Sequence, residues 1–527
     1  MNDQAVSTVA DRSAETQQFR SQVGHISRQS GIFFAGTIFS AAFGYVFKVY
    51  LARVLGAEDL GLYALGITLI GFMGIFNTLG LPESAVRFVA SYRAAGRFRE
   101  LHALLWRGAG LLVGANVAMA AVLLTLGRIF AVRFYHSPAL VRYLPLFALL
   151  MLLGVLTAFY GKVLAGYRDL KWKTLIVNFV GTPLNMLIAV LLLSAGMKLR
   201  GYLIAQIVTA AIVCVMLLAA VRRFTPAVAR FFAQAGSSPQ REVWSFSAAM
   251  LGISFMEFLM TQADKVALGF YRNAREVGVY SVAAAVVVYV ALVLGAVNQI
   301  FAPTIADLHT RGNRAMLARL FQSLTKWVVG LTLPLALVII IFSRPLMRIF
   351  GHDFEAGWPI LIIGTLGQLV NCGVGSVGYL LLMSGNERRL MKVQMVMAAV
   401  MVVLSASLVP VWGILGAAVA AAITNAGINL WNLLEVRRVL GLSPYNRGYW
   451  RLLPPTVATL AATLALRNYS HIFHHDWLAV GITLVSAYCV FAAMVPAAGL
   501  DADDQLIAAA VWSRIRGAFT RAAGVEA

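Results

Sequence analysis

Lys48-Val49-Tyr50-Leu51-Ala52-Arg53-Val54-Leu55-Gly56-Ala57-Glu58-Asp59-Leu60-Gly61-Leu62-Tyr63 decides how the rest of the chain is read, because its pattern returns 217 positions later. Lys48, Leu51, Ala57, Gly61 and Tyr63 recur as Lys265, Leu268, Ala274, Gly278 and Tyr280, while Asp59, Leu60 and Leu62 return as Glu276, Val277 and Val279. Both copies are embedded in 527 residues, 60% of them hydrophobic and 12% charged. Such a chain is too apolar to hide in one water-soluble core. A duplicated unit in a bilayer points to a transporter of two comparable lobes.

A hydrocarbon layer about 30 Å thick takes about 20 apolar residues per helical span. Runs of that kind predict fourteen spans, at 30–51, 60–81, 105–127, 143–165, 174–196, 201–221, 244–269, 277–302, 324–343, 357–383, 392–411, 414–435, 449–467 and 476–497. The runs are continuously apolar and lack the period-two alternation of membrane strands, so the fold class is all-α integral membrane. No short apolar stretch with a small-residue cleavage site marks the first 29 residues, and the first span is its own insertion signal.

The repeat extends well beyond the opening stretch. Gly154, Tyr160, Gly166 and Lys173 return as Gly373, Tyr379, Gly385 and Lys392; Gly201, Ala205, Thr209, Ala211, Leu218, Arg222 and Arg223 return as Gly416, Ala420, Thr424, Ala426, Leu433, Arg437 and Arg438. Each copy therefore carries six spans. An even number makes both copies enter the membrane from the same side, as parallel repeats about an axis along the membrane normal. The organisation expected is a tail (1–29), an N-lobe (30–221), an inter-lobe linker (222–243), a C-lobe (244–438), two appended spans (439–497) and a C-terminal tail (498–527).

A net charge of +21 would suggest nucleic acid in a soluble protein, but the distribution of the cations argues otherwise. Of 43 Lys and Arg, the tails, the even-numbered loops and the span ends adjoining them hold 30, the odd-numbered loops hold 11, and Lys48 and Lys265 lie within spans. That bias places both termini in the cytoplasm and assigns most loop cations to topology and anionic headgroups. Nucleic acid is not an expected partner. Cys214, Cys372 and Cys489 fall within spans without metal-ligand spacing and read as apolar packing residues.

The motif Leu51-Ala52-Arg53-Val54-Leu55-Gly56-Ala57-Glu58-Asp59-Leu60-Gly61-Leu62-Tyr63, with Asp264-Lys265 leading to Val277-Gly278-Val279-Tyr280, resembles the polysaccharide-transporter branch of the multidrug, oligosaccharidyl-lipid and polysaccharide exporter superfamily. By repeat layout the resemblance covers residues 25–440. It implies a flippase that moves polyprenyl-diphosphate-linked oligosaccharide units across the bacterial inner membrane for surface or exopolysaccharide synthesis. The implied partners are the lipid-linked anionic glycan, membrane lipids, H+ or Na+, and polysaccharide assembly proteins.

The residues agree with that cargo. A diphosphate-sugar head is excluded by the bilayer while its polyprenyl tail is not, so only the head needs a protected path. The spans of the first lobe carry Lys48 and no acidic residue, which favours an anionic cargo over a cationic drug. Lys48 and Lys265 each lie about 26 Å or more along their spans at 1.5 Å per residue, toward the external third. They are either a pair of cavity cations for the diphosphate or lysines snorkelling to external phosphates. In the seventh span Glu257, Thr261, Asp264 and Lys265 form one polar stripe. Glu257 and Asp264 are the candidates for ion coupling, Glu257 first; the alternative is a Glu257–Lys265 pair or an Asp264-to-backbone contact holding the lobe together. Asn425, Asn429 and Asn432, spaced four and three, make a face suited to sugar hydroxyls or to interhelical hydrogen bonds.

Nothing matches a nucleotide-binding loop, so an ion gradient is the expected energy source and no cofactor is expected. His471, His474, His475 and Asp476 lack a metal-ligand pattern, and Val377-Gly378-Tyr379 is a packing segment because Tyr379 repeats Tyr160. Arg97–Leu101 and Arg314–Phe321 predict short amphipathic helices on the inner leaflet. Two readings compete with a flippase: a multidrug/cation antiporter of the same superfamily, and a polysaccharide polymerase or ligase. External loops of about 15 residues leave little room for the catalytic region of an enzyme.

Overall fold

A computed structural model describes residues 43–167, 170–225, 241–469, 475–499, 501 and 504–505. The tail 1–29, the opening of the first expected span, most of the linker 222–243, His471, His474 and nearly all of the tail 498–527 lie outside these residues. In chain order the helices are α1 (Phe43–Asn77), α2 (Leu81–Ala94), α3 (Phe98–Ile129), α4 (Leu144–Gly166), α5 (Trp172–Ser194), α6 (Lys198–Phe224), α7 (Arg241–Tyr271), α8 (Ala274–Thr310), α9 (Arg314–Ile341), α10 (Trp358–Val374), α11 (Val377–Met383), α12 (Glu387–Trp412), α13 (Ile414–Leu440), α14 (Leu453–Asn468) and α15 (Asp476–Ala497). No strand occurs among the described residues. The all-α membrane fold is as expected.

The count of fourteen spans is not confirmed by the described residues. Twelve helices among the described residues are long and apolar enough to cross a membrane, where fourteen spans were expected. The described end of the expected span 30–51, from Phe43, and the expected span 60–81 up to Asn77 lie in the single run α1, without an intervening loop. Gly56 within it has φ 76°. A left-handed residue cannot propagate a right-handed helix, so α1 breaks at this one glycine. The expected span 449–467 is helical, a 3-10 turn (Arg447–Leu452) running into the 16 residues of α14, and it is not among those twelve.

The short amphipathic helices expected at 97–101 and 314–321 are corrected as well: these residues are the first turns of α3 and α9. Each follows the same helix-ending turn. Arg97 N–H bonds Tyr92 O at 2.8 Å and Asn313 N–H bonds Leu308 O at 3.0 Å, the six-to-one closure that spends orphan carbonyls at a helix end. Asn313 then caps α9 by accepting from Met316 N–H. No Pro or Gly falls within the first ten residues of either helix, so each runs on into apolar sequence.

The chain divides into two compact units. One draws its described residues from Tyr50–Ser281 and Ala398–Ala417. Its core joins α2, α3, α4 and α6 through Phe88, Leu104, Phe159, Val163 and Leu217. In lipid, burying such side chains brings little hydrophobic gain, and close packing has to hold the helices together. The closest approach is between the repeated motifs. A Cβ on Gly61 would lie 1.6 Å from Ala274 O, and a Cβ on Gly278 would lie 1.9 Å from Ala57 O. Because Ala57 repeats as Ala274 and Gly61 as Gly278, the contact is reciprocal: each copy's glycine makes room for the other's alanine carbonyl.

The other unit draws its described residues from Met1–Val49, Val282–Met397 and Ala418–Ala527. Phe301, Leu320, Phe321, Leu380 and Val436 centre its core on α8, α9, α11 and α13. Helices α14 and α15 pack on each other and on α9. Lys326 of α9, nearly buried, reaches Asp501 at 2.9 Å and Asp504 at 2.7 Å, while Arg451 also pairs with Asp501. Burial opposes the charge on Asp501, but Lys326 and Arg451 prevail and hold its carboxyl below the usual carboxylate range.

Candidate functional site

The stripe predicted on the seventh span resolves into residues with separate surroundings on α7. Lys265 Nζ lies 3.0 Å from Gln262 Oε1 and 3.4 Å from Thr261 O. Gln262 Oε1 is also 3.4 Å from the hydroxyl of buried Thr68. No carboxylate pairs with Lys265 among the described residues, so the Glu257–Lys265 bridge weighed from sequence does not form. The ammonium is held by neutral oxygens and keeps its net charge for a ligand.

Asp264 is buried and already engaged. It accepts the Lys265 backbone N–H at 2.8 Å and a short hydrogen bond from the hydroxyl of Tyr280, itself buried. This ties α7 to α8 through the repeated tyrosine. In the first copy the repeated tyrosine is instead an acceptor: Gln206 Nε2 donates to Tyr63 Oη at 2.8 Å. Tyr63 also packs against Tyr202, ring centres 5.1 Å apart. Glu257 differs from Asp264 in both respects. Its side chain is exposed and makes no hydrogen bond or ion pair among the described residues, its backbone carbonyl alone accepting from Thr261.

Lys48 lies in the other unit, exposed, with Nζ 5.7 Å from the ring centre of Tyr289. Tyr45 meets Tyr289 and Phe350 edge-on, ring centres 6.0 and 5.4 Å away. An aromatic face holds the ammonium without neutralising it. Both repeated lysines are therefore cations supported by uncharged groups.

Beside Thr68 and α7 is a cavity of about 390 Å³. Eight aromatic side chains line it, among them Phe72, Phe130, Phe134, Phe258 and Phe270. Phe130 and Phe134 reach it because α3 continues into a wide π turn, Phe130–Phe134. Thr68 is the member of the chamber wall that meets Gln262, the side chain that holds the Lys265 ammonium.

The asparagines of α13 are partly used by the fold. Asn425 Nδ2 donates to Gly367 O at 3.3 Å, and Asn429 Nδ2 donates to Asn425 O at 2.8 Å. Asn432 is buried, and its Oδ1 has no hydrogen-bond partner among the described residues. Sequence reasoning passed over Asn77, which donates to Asn116 at 2.8 Å in the core, and Lys326, whose aspartates lie 175 or more positions away. No group of three or more metal-binding side chains occurs among the described residues.

Four likenesses to known proteins bear on this arrangement. A solved lipid II flippase MurJ, in an inward closed conformation, matches with a TM-score of 0.68 over 88% of this chain and 97% of that one, at 14% identity. An inward-facing multidrug resistance MATE family transporter of the MOP superfamily matches with a TM-score of 0.61 over 75% of this chain and 94% of that one, also at 14% identity. At such identity these likenesses establish the fold alone. Succinoglycan biosynthesis transport protein ExoT of Rhizobium meliloti (strain 1021) is 25% identical over 327 residues, 60% of this chain and 61% of ExoT, so the match spans less than two thirds of that relative. The sequence profile described as "Polysaccharide biosynthesis protein" matches residues 26–309, more than half of the chain and both copies of the opening motif. The chain thus belongs to the polysaccharide biosynthesis protein family, the polysaccharide-transporter branch that its repeated motifs resemble.

Proposed function

We propose that this protein is a flippase for polyprenyl-diphosphate-linked oligosaccharides in the bacterial inner membrane. The observation that carries the reading is the state of Lys265: an uncompensated ammonium inside a membrane helix, linked through Gln262 to Thr68 in the wall of an apolar aromatic chamber. Keeping a cation in a membrane is costly unless it serves an anion or reaches water. A diphosphate answers the ammonium, and a polyprenyl tail matches the chamber. Lys48, the repeat mate, offers a second site for the same head group in the other half of an alternating-access cycle. The two lobes, 30–221 and 244–438, would rock about that path, with the asparagine face of α13 meeting sugar hydroxyls.

Glu257 is the proposed ion-coupling group, with H+ or Na+ as the driving ion, because it is the carboxylate of the α7 stripe left unengaged. Asp264 takes the lesser part, since releasing it would cost the Tyr280 hydrogen bond. A cation antiporter is the runner-up through the MATE-like fold. Against it stands the basic balance of the chain, +21 in net charge; the expectation of an acid-free first lobe does not carry over, since α1 takes in Glu58 and Asp59. An enzyme is disfavoured by relatives named as a transport protein and a flippase.

Binding tests this reading directly. The purified chain should bind a polyprenyl-diphosphate oligosaccharide more tightly than a neutral polyprenyl glycoside by about tenfold or more, the scale of one charge-assisted contact. Equal affinity for the two would contradict it.

A further inference from the structure

A second cavity, of about 370 Å³, lies in the other unit where α9 ends, a short helix (Ser343–Arg348) turns the chain, α10 begins and α14 ends. Its wall is divided by chemistry. Ile340, Ile341, Phe342 and Ile362 supply an apolar side, and Arg344, Arg348 and Arg467 supply three guanidinium groups. Arg344 lies over the ring of Trp358, 5.2 Å from its centre. It forms no ion pair among the described residues. Arg348 pairs with Glu355 at 3.0 Å, which leaves part of its fork for another partner.

These arginines run against the charge bias of the chain. The odd-numbered loops and their margins hold 11 of the 43 basic residues, and three of those 11 converge here. Topology explains a surplus of cations at the other end of the helices and offers no reason for a cluster at this one. Stacking explains the orientation of Arg344 but leaves its planar donors free for an oxyanion. A half-apolar, half-cationic pocket at helix ends, with a tryptophan beside it, has the form of a site for the glycerophosphate region of a lipid. The volume is at the low end for ligand pockets and suits a head group rather than an oligosaccharide.

We infer that the Arg344–Arg348–Arg467 cavity binds the phosphate head group of an anionic phospholipid, one acyl chain lying against Ile340 and Ile362. On the proposed topology the lipid belongs to the outer leaflet. It would brace α14 against the α9–α10 turn, joining the appended helices to the repeated ones. The inference is independent of the cargo, since it concerns a separate cavity and a bulk lipid.

The test uses the full purified chain and phosphatidylglycerol, with phosphatidylcholine as the phosphate-bearing lipid of zero net charge. Native mass spectrometry should show phosphatidylglycerol bound more tightly than phosphatidylcholine, and R344Q/R467Q should lower that preference by about thirtyfold, at about 1 kcal/mol per arginine. R344K/R467K should restore part of it, and R133Q, a cation at the same expected face outside the cavity, should leave it intact. If R344Q/R467Q fails to fold, a photoactivatable phosphatidylglycerol applied to the unaltered chain decides: crosslinks to peptides containing Trp358 or Arg467 support the site, and crosslinks elsewhere overturn it. Unchanged preference in a folded R344Q/R467Q variant overturns it too. Displacement of the bound lipid by polyprenyl diphosphate but not by phosphatidylglycerol would reassign the cavity to the cargo.

Discussion

At the residue scale the account turns on which charges are spent and which are free. Asp264 is spent on Tyr280, Lys265 is supported by neutral oxygens, and Glu257 has no partner among the described residues. Replacing Lys265 with Gln should weaken binding of the diphosphate-linked lipid about tenfold while Lys265→Arg retains most of it, as titration calorimetry would show. A uniform loss in both variants would point to packing instead. Glu257→Gln should leave binding intact and make translocation insensitive to the ion gradient, and a variant that still responds to the gradient would remove Glu257 from coupling. The polar stripe was legible in the sequence because helical spacing collects its residues on one face. Depth along the helix ranked Glu257 ahead of Asp264, but what engages Asp264 was not legible, since the hydroxyl of Tyr280 sits on the next helix.

Among the elements, the reciprocal contact of Gly61 and Gly278 explains why the motif survives in both copies. A side chain on either would drive into a backbone carbonyl that cannot yield. Gly61→Ala or Gly278→Ala should each destabilise the protein by about 2 kcal/mol or more, the scale of overpacking. Thermal unfolding in detergent would measure it against Gly110→Ala, where the added methyl meets nothing within 4 Å. Equal midpoints for all three variants would contradict the close approach. The duplication was visible as a repeat of residue types; that the two copies touch one another was not, because offset carries no distance. Nor was the break at Gly56, which apolar-run counting replaces by a loop. Span counting also places the first turns of α3 and α9 on the membrane surface, having no means to see that nothing interrupts those helices.

For the whole molecule, the closing of the appended helices onto α9 depends on charge. Asp501 has its carboxyl lowered by Lys326 and Arg451, so its contribution to stability is complete above the unfolded value of about 4 and disappears as pH falls through the lower folded value. The unfolding midpoint of the intact protein should therefore drop between pH 6 and pH 3 by more than that of Asp501→Asn. Matching pH profiles would show that this clasp contributes nothing. Composition made the membrane class readable, and long apolar runs without period-two alternation made the helical fold readable. The clasp was beyond reach of the sequence, because it joins residues some 175 positions apart at an edge where charges are ordinarily attributed to topology.

The central claim is that the protein carries a lipid-linked diphosphate head across the bilayer on its repeated lysines. The most direct measurement is made in proteoliposomes containing a labelled polyprenyl-diphosphate oligosaccharide, following exposure of the sugar to a probe on the far side. The account predicts rapid exposure with the intact chain, and slow exposure with K48Q/K265Q at equal protein content and undiminished folding. Exposure no faster than in protein-free vesicles, or equally fast with K48Q/K265Q, would contradict it.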